Sequence, residues 1–382
     1  MKKINLTYML LLLLALMLVS CSQKQSKEPE TLKDAFAGKF YIGTALNEWH
    51  ITGKDTAGIE VIKNQFNAIV AENCMKSEEI QPREGEFDFS LADQFVDFGE
   101  KNNMFITGHC LIWHSQAPNW FFTDEEGNDV SREVMIERMK NHISTVVGRY
   151  KGRIKGWDVV NEAFLEDGSW RKSKFYQIVG EDFIKLAFQF AHEADPDAEL
   201  YYNDYNEWYP GKRDTVVQMV RDFKAEGIRI DGIGMQGHIG MDGPSIEEYE
   251  AAIEAYANEG MKVMITELDM SILPHPRRDV GADIATNFEY QQQLNPYTEG
   301  VPHEEMEKWD NRMLDFFRLF LKHSDDISRV TLWGVSDGTS WKNNFPVRGR
   351  TDYPLLFDRE YQPKSIVNKL IEEAGKPDYN RK

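Results

Sequence analysis

Short apolar runs recur along the chain at intervals of a few tens of residues, and amphipathic stretches separate them. The runs are Phe40–Leu46, Ala68–Ala71, Phe105–Trp113, Ile154–Val160, Glu199–Tyr202, Gly232–Met235, Lys262–Ile265 and Arg329–Val335. Short apolar runs of this kind are what strands buried on both faces look like in sequence. Between them, apolar residues fall three or four apart. Leu91, Phe95 and Phe98 precede Asn102-Asn103; Ile184, Phe188 and Ala191 precede Asp195-Pro196; Val216, Val217, Val220 and Phe223 run up to Gly227. These are helix faces followed by helix stops. Eight alternations of strand and helix predict an α/β fold, a single-domain (β/α)8 barrel over residues 34–376, with 377–382 as a tail. A doubly wound sheet is the rival topology, but no glycine-rich phosphate turn follows the first run.

The C-terminal ends of these runs are polar: Asn47, Glu72-Asn73, His109, Asn161-Glu162, Asn203-Asp204, Gln236 with His238, Glu267 with Asp269, and Asp337. One Asn or Asp at such a place is ordinarily the N-cap of the next helix. So many together, with Gln, Glu and His among them, exceed what capping needs. In a barrel all these ends point to one face, where the loops build the active site.

Two of them are glutamates on strands that face each other across the barrel mouth. Trp157-Asp158-Val159-Val160-Asn161-Glu162 ends the fourth strand, and Val263-Met264-Ile265-Thr266-Glu267-Leu268-Asp269 ends the seventh. Converging carboxylates suit glycoside hydrolysis: one protonates the leaving oxygen, and the other attacks the anomeric carbon when the two lie about 5–5.5 Å apart. The two roles need different surroundings. Gln236 and His238 are expected to hold Glu267 ionised, with Asp269 orienting His238. Glu162 is expected to carry the proton, its affinity raised by aromatic neighbours and by the charge of Glu267. Asn161 is placed to donate to a sugar 2-hydroxyl.

Composition narrows the ligand. Acidic residues number 63 against 44 Lys and Arg, a net charge of −19. That field repels phosphate backbones, so nucleic acid is not expected as a partner. Aromatic residues make up 12% of the chain, enough for both a core and a cleft that stacks flat rings. No metal or organic cofactor is implied: a metal-dependent barrel hydrolase would want a His-x-His pair on the first strand, where Thr44-Ala45-Leu46-Asn47 stands. Cys74 and Cys110 sit in or beside apolar segments and are expected to be buried thiols, with a disulfide as the alternative.

Seven ordered motifs resemble glycoside hydrolase family 10, the retaining endo-β-1,4-xylanases, over about Phe36 to Glu373. They are Glu72-Asn73-Cys74-Met75-Lys76 with Pro82, Gly85 and Phe87; Gly108-His109-Cys110-Leu111-Ile112-Trp113-His114-Ser115-Gln116; Tyr201-Tyr202-Asn203-Asp204-Tyr205-Asn206; Gly234-Met235-Gln236-Gly237-His238; Thr266-Glu267-Leu268-Asp269; Leu332-Trp333-Gly334-Val335-Ser336-Asp337 with Trp341; and Pro354-Leu355-Leu356-Phe357-Asp358. The resemblance implies that Glu162 is the acid/base and Glu267 the nucleophile. It places Asn161, His109, Trp113, Gln236 and His238 around the sugar being cleaved, and Glu72, Asn73, Lys76, Gln116, Trp333 and Trp341 on the glycone side. Tyr205 falls near the leaving sugar, and Asp204 and Asp269 are supporting residues. It implies xylan and xylo-oligosaccharides as substrate and a monomer. A bulky Trp over the glycone sugars would exclude the exocyclic CH2OH of glucose by clash. A β-1,4-glucanase of the same barrel fold and a non-catalytic sugar-binding lipoprotein are the alternatives; the second has no need of paired strand-end carboxylates.

The chain departs from the family at Ser77, where an aromatic is usual after the lysine, and at Cys74 and Cys110, which replace small polar residues. Arg348 and Arg350 flank Gly349 and are expected in surface ion pairs, with a glucuronyl contact as the alternative. The loop Ile272–Glu305 carries Pro274, Pro276, Arg277, Arg278, Tyr290, Pro296, Tyr297 and Pro302 and is expected to bear on side-chain acceptance. His142, His192, His303 and His323 are expected to be packing or surface groups. Trp49, Trp208 and Trp309 are open between sugar stacking and packing.

At the N-terminus, Lys2 and Lys3 precede an apolar run from Tyr8 to Val19. It is too short for a membrane span, which takes about 20 residues, and reads as a signal peptide over residues 1–20. Leu18-Val19-Ser20-Cys21 resembles a bacterial lipobox, cut before an acylated Cys21. Residues 21–33 then read as a lipidated flexible tether. The expected location is the Gram-negative envelope, at the outer membrane, with the face left open.

Overall fold

The computed structural model describes residues 30–274, 293–346 and 348–379. The residues expected to form a leader, Cys21 and most of those expected to form a tether lie outside these residues, as do Pro276, Arg277, Arg278 and Tyr290. The strands are β1 Tyr41–Leu46, β2 Ala68–Ala71, β3 Phe105–Trp113, β4 Gly156–Asn161, β5 Glu199–Asp204, β6 Gly232–Met235 with a short continuation His238–Gly240, β7 Lys262–Ser271 and β8 Ile327–Leu332. Each pairs in parallel with the next, and β8 pairs with β1, so the sheet closes into an eight-stranded barrel. Helices connect the strands and form the outer layer.

Every residue of β2, β4 and β6 is buried, as strands packed on both faces require. The main core lies between the sheet and the helices. Inside the mouth of the barrel, Ala45, Val70 and Trp333 form a smaller cluster with Trp341 against it.

Two boundaries differ from the apolar pattern. β7 runs on to Ser271, because Leu268 and Met270 are buried and pair along the continuation of β6 and along β8. β8 stops at Leu332, and Gly334 follows at φ +130°, a left-handed geometry that breaks the extended chain. At the other end, Leu32–Ala35 is already helical, capped by Thr31, and Leu32 is fully buried, so the packed chain begins inside the stretch expected to be tether. Among the described residues no helix is long and apolar enough to cross a membrane.

Candidate active site

The strand ends bring the two glutamates to one face. Glu162 follows β4 directly and adopts a left-handed backbone, φ +59°. Glu267 lies within β7, where the register against β8 shifts between Ile265 and Leu268. Such bulges re-aim a side chain beside a site. Comparable shifts occur near His109 on β3 and Asp158 on β4.

A chain of amides joins the two carboxylates. Gln236 Nε2 donates to Glu162 Oε1 at 3.0 Å and to Asn161 Oδ1 at 3.2 Å. Asn203 Nδ2 donates to the same Asn161 oxygen at 3.0 Å and to Glu267 Oε1 at 2.9 Å. Asn203 is itself fixed by the Thr266 hydroxyl, which donates to its Oδ1 at 2.6 Å. The side chain of Gln236 therefore serves Glu162, not Glu267 as the sequence reading expected; only its backbone carbonyl reaches Glu267, accepting the N–H at 2.7 Å.

The two carboxylates differ in their partners. His238 Nε2 lies 3.2 Å from Glu267 Oε2, and His238 Nδ1 lies 3.0 Å from Asp269 Oδ1. Burial alone would raise the pKa of Glu267. The hydrogen bond from His238, the neighbouring His109 and His238 rings and the Asn203 amide outweigh it and hold the carboxyl below its ordinary value. Asp269 behaves alike, lowered despite burial by His238, Lys342 and the indole of Trp341, which donates at 2.7 Å. Burial pushes His238 down, but Asp269 and Glu267 prevail and push it up to about 9.

His109 is buried against Asp158, Nδ1 to Oδ2 2.9 Å, and meets Trp333 edge-on at 5.4 Å. Further along the cleft, Lys76 Nζ donates to Asn73 Oδ1 at 2.9 Å and to Gln116 Oε1 at 2.7 Å, and lies 4.8 Å from the ring centre of Trp113. Burial raises the pKa of Glu72 in part against the pull of Lys76. Trp341 stands 5.0 Å from His238 and stacks on Phe345 at 4.9 Å. On the other side, Tyr205 accepts a hydrogen bond from Arg171 at its hydroxyl, 2.7 Å. Asp204 is fully buried, bonded to Lys212 at 2.7 Å and Tyr202 at 2.5 Å, so it supports the β5 end from behind.

Other expectations resolve differently. Arg350 is buried and donates to the Pro274 carbonyl at 3.0 Å, not a surface ion pair. Ser77, in place of an aromatic, is buried beneath β3 with its hydroxyl on the Leu111 carbonyl. Cys74 and Cys110 are buried free thiols. His142 is buried and bonded to Gln81. Trp309 packs in the core, Trp208 packs against Tyr249, and Trp49 is 60% exposed. Among the described residues, Glu250, Glu254 and His323 bring possible metal-ligand atoms within 4.8 Å of one another. They lie in the outer helical layer, and Lys322 already pairs with Glu250 at 2.6 Å.

Asn203 stands among the polar strand ends in the sequence but had no partner assigned, and Asp158 was not singled out, its one signal being a carboxylate inside the apolar run Ile154–Val160. Lys342 and Arg171 sit in loops and carried none.

Residues 31–373 match glycosyl hydrolase family 10. Endo-1,4-β-xylanase A of Xylanibacter ruminicola is 51% identical over 358 residues, covering 94% of this chain and 97% of that protein. Endo-1,4-β-xylanase B of Paenibacillus barcinonensis is 43% identical over 351 residues, covering 91% and 99%. Among solved structures, a family 10 endoxylanase from a sugarcane soil metagenome superposes with a TM-score of 0.85 at 45% identity, over 91% of this chain and all of that one. A xylanase of Paenibacillus barcinonensis solved with a conduramine derivative gives 0.82 at 42%, over 91% and 99%.

Proposed function

Because the chain belongs to glycosyl hydrolase family 10, we propose that it is a retaining endo-1,4-β-xylanase, which cuts internal xylosidic bonds of xylan and xylo-oligosaccharides with Glu267 as nucleophile and Glu162 as acid/base. The observation that carries the residue roles is the unlike company of the two carboxylates. Glu267 is held ionised between His238 and Asn203, whereas Glu162 takes its contacts from neutral amides, Gln236 and Asn161.

The reaction follows from that pairing. Glu267 attacks the anomeric carbon while Glu162 protonates the departing oxygen. A glycosyl-enzyme ester forms. Glu162, now a carboxylate, deprotonates water, which displaces Glu267 and restores the original configuration. Asn161 has its oxygen occupied by Asn203 and Gln236 and its Nδ2 donates to Glu162 Oε1 at 3.4 Å, which leaves one amide hydrogen for the sugar 2-hydroxyl. Lys76, Asn73, Gln116 and Glu72 supply polar partners for glycone hydroxyls, and Trp113, Trp333 and Trp341 supply flat faces and bulk that a CH2OH group would strike. Acylation at Cys21 then tethers the enzyme to the envelope membrane, most of the molecule remaining water-exposed.

Glu267→Ala abolishes turnover of every substrate. Glu162→Ala loses about 10²–10⁴-fold on xylan but spares kcat/KM on aryl xylobiosides whose phenolate leaves without protonation. Equal loss on both would remove Glu162 from the acid role, and an α anomer as first product by NMR would exclude retention. Activity on carboxymethylcellulose matching that on xylan would overturn the substrate. Cys21→Ser moves the protein from the membrane fraction to the soluble one; unchanged fractionation would dismiss the tether.

A further inference from the structure

Glu162 holds its carboxyl from a backbone geometry that side-chain-bearing residues seldom adopt, φ +59°. Such a conformation is strained and persists only where neighbours impose it. Its N–H donates to the Asn203 carbonyl at 2.9 Å, continuing the ladder to β5. Its side chain accepts from Gln236. Its carbonyl accepts from a charged side chain, Nε of Arg171, at 2.8 Å.

Arg171 comes back to Glu162 through a folded loop. The Arg171 N–H donates to the Ala163 carbonyl at 2.9 Å, and Phe164 pairs with Trp170 as an antiparallel bridge between them. The other arm of the guanidinium, Nη2, donates to the Tyr205 hydroxyl at 2.7 Å. Tyr205 is fixed in turn, since Lys212 Nζ donates to its carbonyl at 2.7 Å and is locked by Asp204 at 2.7 Å. One planar fork thus spans the ends of β4 and β5.

We propose that Arg171 is a positioning residue for glycosidic cleavage, clamping the strained Glu162 carbonyl to Tyr205 and so setting the reach of the Glu162 carboxyl toward the departing oxygen. The inference rests on the reading of Glu162 as proton donor. Released from the clamp, residue 162 relaxes and its carboxyl swings off the oxygen; a misplacement of about 1 Å costs on the order of 100-fold in a positioned reaction. Lysine cannot replace the fork, because an ammonium is a point charge without two arms at a fixed angle.

The test compares two aryl β-xylobiosides, one releasing 2,4-dinitrophenolate and one releasing unsubstituted phenolate. The ratio of their kcat/KM values reads the protonation of the leaving group, because kcat/KM stops at the bond-breaking step. The ratio is taken within one preparation, so a partly unfolded variant does not distort it. In Arg171→Met the phenyl-to-dinitrophenyl ratio falls by about 10–100-fold, and Arg171→Lys recovers less than half of that loss on a logarithmic scale. A ratio within twofold of the parent enzyme in Arg171→Met overturns the proposal, as does full recovery by lysine. Glu162→Ala run alongside separates the two levels. If its ratio collapses while that of Arg171→Met does not, only the clamp is wrong. If its ratio holds, the acid assignment fails first and the clamp with it.

Discussion

His238 bridges two carboxylates, Glu267 at 3.2 Å and Asp269 at 3.0 Å, and with its pKa pushed up to about 9 it is an imidazolium through neutral pH. As the proposed nucleophile, Glu267 would attack only as the carboxylate, and because it is held below its ordinary value the acid limb of kcat/KM is expected below the usual carboxylate range. His238→Asn keeps an amide donor but removes the positive charge, and the acid limb moves up in pH. A pH–rate profile of kcat/KM checks this, and an unmoved limb would detach His238 from the nucleophile. The same charge has a stability consequence. A raised histidine stabilises the fold fully below its unfolded pKa of about 6.5, and that contribution fades as pH rises toward 9. His109, Glu162, His238 and Glu267 were legible in the sequence because each ends or interrupts an apolar run. The partner of each was less so. Gln236 and Asn203 are both amides at strand ends, and sequence spacing says nothing of which carboxylate each meets. The stagger of neighbouring strands decides that, and it hands Gln236 to Glu162 and Asn203 to Glu267.

Strand order and closure were readable from alternation alone, since eight buried strands separated by helices have few other ways to bury both faces. The bulges were not, because each depends on how two neighbouring strands pack. β3 and β4 show why. Gly108 lies directly opposite Trp157 in their register, and the Trp157 ring occupies the space where a Cβ would sit, 2.1 Å from Cε3. The indole is fully buried and has nowhere to retreat. Gly108→Ala therefore forces the two strands apart at the residue preceding His109. Overpacking of this kind costs about 1–3 kcal/mol, so the melting temperature falls and kcat falls with it as His109 shifts. Thermal denaturation followed by circular dichroism measures the first effect, and a melting temperature equal to that of the parent chain would show that the strands absorb the methyl group.

At the scale of the whole molecule the dominant feature is charge, −19 in net formal terms. Sugars are neutral, so this field neither attracts nor repels plain xylan, and the local chemistry of the cleft decides binding. Xylan bearing glucuronate is different: it is a polyanion approaching a polyanion. The repulsion extends over about 30 Å at 10 mM salt and about 8 Å at 150 mM, so low salt lets the whole surface act on an incoming chain and physiological salt confines the effect to the cleft rim. It acts on encounter, not on the bond-breaking step. KM for glucuronoxylan is therefore expected to fall severalfold between those salt concentrations while kcat holds, and KM for neutral arabinoxylan stays flat over the same range. Steady-state kinetics on the two polymers at matched chain length would settle it. A salt-independent KM on glucuronoxylan would mean that cations at the cleft, Lys76 among them, cancel the field where the polymer enters.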